Sequence, residues 1–157
     1  MRLLTAITFL GIASSFTTAA DKDADKAKEV SLAFLKAVKG KDLDAVMKTV
    51  DTPFVFDFGV ASPQTIDKPD DLKAAMKKLL ENVTPDKIPT EVVTAHDMTA
   101  FTKLAKEKDE AGMAEKAVAL VGKTGYAVTM KGKDGREFGG ALVRIKGGKA
   151  FVAAIPK

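Results

Sequence analysis

Few side chains in this sequence combine a reactive group with neighbours that could make use of it. Asp57 stands in the run Phe54, Val55, Phe56, Asp57, Phe58, and a carboxylate held in an apolar pocket with a raised pKa can abstract a carbon-bound proton. The alternation of a strand, however, puts the three phenylalanines on one face and Asp57 on the other. His96, the only histidine, stands beside Asp97 as a nominal acid–base dyad. Neighbours in a strand point to opposite faces, so direct contact needs an irregular backbone, and the plainer reading of His96 is a polar residue ending its strand. Tyr126, the only tyrosine, begins a strand, where it either supplies a hydroxyl or packs its ring and keeps its oxygen wet.

Other chemistry is excluded more firmly. With one histidine and no cysteine there is no multi-histidine or thiolate metal site, no thiol nucleophile and no disulfide framework. Residues 117–124, AVALVGKT, fit a permissive phosphate-loop pattern. A phosphate cradle needs a glycine-rich turn entering a helix N-terminus, whereas these intervening residues are apolar and a strand follows from Gly125, so Gly122 reads as a helix stop. Asn82, Val83, Thr84 is a chance-level glycosylation sequon beside Pro85. No cofactor is implied.

The elements that must position these residues follow from periodicity. Ala27, Val30, Leu32, Ala33, Phe34, Leu35 and Ala37 recur at helical spacing, predicting a helix from about Asp25 to Lys39 closed at Gly40. A short second helix starts near Lys41 or Asp42, with Leu43, Val46 and Val50 on one face, and ends at Asp51, Thr52, Pro53. The phenylalanine strand comes next. Pro69, Asp70, Asp71 open a helix through Leu72, Ala75, Met76, Leu79 and Leu80 to about Asn82, with its acids at the positive end of the dipole. Glu91 to Ala95 reads as a strand, and Met98 to Lys108 and Met113 to Val121 as helices. Strands Tyr126 to Lys131, Arg136 to Ile145 and Ala150 to Ile155, joined at Lys133-Asp134-Gly135 and Gly147-Gly148, form an antiparallel meander. These last strands are apolar on both faces, which calls for another layer or another subunit, and the expectation is a homodimer through the C-terminal sheet.

This order of elements resembles the nuclear transport factor 2-like (SnoaL-like) superfamily. The resemblance is carried by Ala33, Phe34, Leu35, Ala37 and Val38, the link from Lys39 to Asp44, then Thr52, Pro53, Phe54, and the closing strands from Tyr126 to Ile155. It implies an α+β fold in which a cone-shaped, curved antiparallel sheet packs against N-terminal helices and leaves a pocket, and many relatives dimerise. The superfamily holds isomerases, cyclases, dehydratases, binding modules and non-enzymes, so fold alone does not select a reaction. Its proton-transferring members use a carboxylate base and an oxyanion donor, often a tyrosine on the first helix. Phe34 stands on that helix here, and Asp57 falls roughly where the base would lie, with Tyr126 or His96 to assist. The leading expectation is a module whose cavity, lined by Phe54, Phe56, Phe58, Val128 and Met130, is filled by its own side chains or holds a small apolar ligand. The alternative is an isomerase or cyclase with Asp57 as general base.

The N-terminal residues predict that this chain is exported from the cytoplasm. Arg2, the apolar run from Leu3 to Ala13 and the small residues ending Thr18, Ala19, Ala20 form a secretory signal peptide cleaved after Ala20. The run is about half the roughly 20 residues a membrane span needs, so no stable membrane insertion is expected. Residues 21–157 are expected as one domain, periplasmic or secreted. Eight Lys or Arg against two acids fall in residues 123–157. That field would favour an anionic surface, but no interleaved aromatic platform accompanies it and no nucleic-acid partner is expected. The plainer role of these cations is to keep sheet edges soluble.

Overall fold

The computed structural model describes residues 19–59, 62–89, 91–108, 110–132, 135 and 137–156. Most of the expected signal peptide therefore lies outside the described residues. Helix α1, Ala19–Lys39, begins with the last two residues of that segment and turns Phe34, Leu35, Ala37 and Val38 into the core. The turn that closes it places the left-handed conformation on Lys41 (φ 55°) rather than on Gly40. Asp42 then caps α2, Leu43–Met47, accepting from the Ala45 N–H at 2.9 Å.

Helix α2 is shorter than expected, and Val50 opens strand β1, Val50–Phe56, instead of continuing the helical face. Tertiary pairing decides this: the Val152 N–H donates to the Thr49 carbonyl at 2.8 Å, and the β-branched Thr49 and Val50 suit an extended chain. Strand β2, Gln64–Ile66, carries no apolar alternation that would predict it and pairs antiparallel with β1. Helix α3, Pro69–Asn82, starts with its proline in the first turn. A 3-10 turn, Pro85–Lys87, leads to β3, Glu91–Asp97. Two further helices, α4, Met98–Glu107, and α5, Ala111–Val121, precede the meander of β4, Tyr126–Lys131, β5, Glu137–Lys146, and β6, Lys149–Ala154. Gly147 and Gly148 both have positive φ, the conformation a two-residue hairpin turn requires.

The six strands form one sheet in the order β2-β1-β6-β5-β4-β3. The fold is α+β as expected, but the sheet is mixed rather than wholly antiparallel. The meander returns β6 alongside β1 in the same direction, and the two pair in parallel. Register shifts interrupt the β1–β6, β3–β4, β4–β5 and β5–β6 ladders, and such bulges bend and twist a sheet.

Alternation divides the side chains between two cores. On one face Phe54, Ile66, Met130, Ala141 and Val152 pack beneath α1, α2 and α3, with Tyr126, Val128 and Val143 continuing that layer against Ala27. On the other, Val55, Ala127, Leu142, Ala153 and Ala154 pack against Met98 of α4 and Ala117 and Val121 of α5. The sheet's second apolar face, from which a homodimer was inferred, is thus covered by the chain's own α4–α5 hairpin. Among the described residues no helix is long and apolar enough to cross a membrane.

Candidate functional site

Three of the residues expected to line a cavity are packed into the core. Phe54, Val128 and Met130 are buried in packed clusters, and the Phe54 and Phe56 rings lie 4.9 Å apart in a tilted pair. Phe58 does not join them. Asp57 takes a left-handed backbone (φ 54°), which ends the alternation after Phe56 and carries Phe58 to the opposite core. There the Phe58 N–H donates to the Ile155 carbonyl at 3.0 Å.

Asp57 borders a broad polar groove of about 700 Å³ between β2 and α3, together with Phe56, Gln64, Asp67, Lys68, Asp71 and Lys78. His96 faces elsewhere, into a depression between the sheet and the α4–α5 hairpin. Tyr126 is buried on the face beneath α1, opposite to that of His96. The three residues singled out for proton transfer therefore occupy three separate places. Nor do His96 and Asp97 form a dyad: the Asp97 carboxylate caps α4, accepting the Ala100 N–H at 2.7 Å. The 117–124 segment behaves as its sequence indicated, with α5 running to Val121 and Gly122 (φ 76°) as its C-cap. Among the described residues no group of three His, Asp or Glu side chains could hold a metal ion.

The depression at His96 is the more enclosed of the two and measures about 430 Å³. Its floor is the face of β4, β5 and β6 that carries Ala127, Thr129, Gly139, Leu142 and Ala154. Phe101, Leu104 and Ala105 of α4 and Met113 of α5 form its wall, Phe58, Ile155 and Pro156 close one end, and Lys108 and Glu110 stand exposed at its rim. Small floor residues opposite bulky helix residues create the space. Gly139 contributes most directly, since a Cβ there would meet nothing within 4 Å, whereas one at the neighbouring Gly140 would collide with the Met130 side chain. Leu104, 39% exposed, is the one exposed large hydrophobic side chain among the described residues.

Polar groups in this depression are sparse. The Thr129 hydroxyl oxygen is buried and has no hydrogen-bond partner among the described residues. Of the residues expected to bind a ligand, Phe58 lines this space and Val128 borders it. Phe101, Leu104, Met113, Thr129 and Gly139 were not anticipated. Phe101, Leu104 and Ala105 do show the i, i+3, i+4 stripe of a buried helix face, and paired glycines inside a strand are the ordinary sign of a bulge.

The basic C-terminal segment is partly consumed by structure. Arg144 donates to the carbonyls of Thr52, Pro53 and Leu120 at 2.9–3.3 Å. Burial lowers its pKa below the ordinary arginine value, and nearby Asp51 opposes that shift. Lys146 pairs with Asp51 at 3.1 Å. Two of the segment's eight cations are thereby engaged with β1 and α5.

No protein-family description matches this chain, and no curated protein matches it. One solved structure it is similar to, provisionally described as a calcium/calmodulin-dependent protein kinase II association domain from Xanthomonas campestris, is 9% identical. That likeness covers 78% of this chain and 77% of the other, with a TM-score of 0.36.

Proposed function

We propose that this protein is an exported binding module of nuclear transport factor 2-like type that holds a small apolar molecule between its sheet and the α4–α5 hairpin. One observation carries the reading: an apolar space of about 430 Å³, walled by Phe58, Phe101, Leu104 and Met113, remains open beside a tightly filled core. Small-molecule sites have this character, concave and mostly apolar with a few placed polar groups. The family assignment draws support from the order of helices and strands and from the terminal meander. Export rests on the leader sequence ending at Ala20. The two helpers expected for Asp57, His96 and Tyr126, both lie away from it, which favours binding over isomerase chemistry. A homodimer through the C-terminal sheet would have to engage surface beyond the face that α4 and α5 already cover.

The test is a fluorescence titration with diphenylhexatriene, a hydrocarbon that brightens in apolar surroundings. The wild-type protein binds it saturably. Gly139→Leu, which places a side chain in the open space, stays folded and does not bind. Absence of binding to folded wild type, or equal binding by both proteins, contradicts the proposal.

A further inference from the structure

Thr129 is the one floor residue whose side-chain oxygen is buried with no partner among the described residues, and it lines a mostly apolar space. A buried hydroxyl without a partner is costly, and rotation about χ1 that turns it towards a ligand atom recovers that cost on binding. His96 lines the same space from the neighbouring strand. In the β3–β4 register His96 lies opposite Ala127 and Thr94 opposite Thr129, so His96 and Thr129 are diagonal neighbours across the small Ala127 side chain. Diagonal positions stand about 7–8 Å apart, a spacing at which one ligand oxygen can bond to both side chains. A threonine hydroxyl and a neutral imidazole each offer a donor and an acceptor.

Charge decides between classes of polar group. Among the described residues, the charged side chains that line this space, Lys108 and Glu110, are exposed, at the rim, and opposite in sign. Among the described residues no lysine or arginine lies on the floor, so a carboxylate carried to Thr129 would be stripped of water with only His96 beside it. An ammonium group would find no anion on that floor among the described residues. Resting on the reading of this groove as a ligand site, we infer that its ligand is an apolar molecule bearing one uncharged oxygen, a carbonyl or a hydroxyl, seated between Thr129 and His96.

Displacement of diphenylhexatriene by methyl octyl ketone and by decanoate, which have chains of similar size, tests this in neutral buffer. The ketone displaces the probe at about tenfold lower concentration than decanoate. Thr129→Val weakens ketone binding relative to the hydrocarbon probe by roughly three- to tenfold, the loss of one hydrogen bond. Thr129→Ser, which keeps the hydroxyl, retains the preference. Tighter binding of decanoate that is lost in Lys108→Ala would put a charged head at the rim and overturn the inference, as would a Thr129→Val protein with unchanged ketone affinity relative to the probe. Failure of the folded wild type to bind diphenylhexatriene at all would overturn the underlying reading of the groove.

Discussion

The guanidinium of Arg144 on β5 holds the Leu120 carbonyl in the last turn of α5, with Nη2 at 2.9 Å and Nε at 3.3 Å. The same side chain donates to Thr52 and Pro53 of β1, so one residue fastens the second helical layer to two strands. Carbonyls at a helix C-terminus lack helical partners and carry partial negative charge, which suits a cation. Lysine cannot reproduce a planar fork aimed at three carbonyls. Arg144→Lys is expected to lower stability by about 2 kcal/mol, read as a lower midpoint in urea. An unchanged midpoint would mean that the α5 anchor contributes nothing.

Two adjacent glycines make opposite predictions. Gly139→Leu enters open space and should change the urea midpoint little while abolishing ligand binding. Gly140→Ala meets Met130 and should cost about 1–3 kcal/mol through overpacking. Urea unfolding of both variants checks the contrast, and similar losses in the two would contradict the described bulge.

Ser31 sits fully buried on α1, its hydroxyl without a partner among the described residues. Ser31→Ala removes the unsatisfied group and favours the helix. The expected gain is about 1 kcal/mol, measured by thermal or urea unfolding. A loss of stability would reveal a hydrogen bond to that hydroxyl in solution.

Asp97 acts as a helix cap. Asp97→Ala should destabilise the protein by about 1 kcal/mol and Asp97→Asn by much less, because asparagine caps nearly as well. Ligand affinity measured on the folded variants should stay at the wild-type value in both. A selective loss of binding in Asp97→Asn would restore a functional pairing with His96.

Helices and the meander were legible because their signals are local. The Phe34 stripe, Pro69 at the head of α3, Gly122 at the end of α5 and the Gly147-Gly148 turn each follow from periodicity or backbone preference. The second apolar face of the C-terminal strands was legible too, but its covering was assigned to another subunit because nothing local says that α4 and α5 fold back over it. Strand β2 escaped notice because Gln64 and Thr65 carry no apolar pattern and are held by pairing with β1. Asp57 defeats the alternation rule by adopting a left-handed backbone, and that single turn carries Phe58 from the face of Phe54 to the depression beside the α4–α5 hairpin. Of the residues lining the depression at His96, Thr129 has no distinguishing neighbours in sequence; only its hydroxyl, buried without a partner among the described residues, sets it apart.

Native mass spectrometry of the protein recovered from the cells that make it, beside Gly139→Leu recovered in the same way, tests the central claim most directly. The account predicts a wild-type chain beginning at Asp21 and carrying an added mass of a few hundred daltons, with the Gly139→Leu chain bare. The same added mass on both proteins, or none on either, would contradict it.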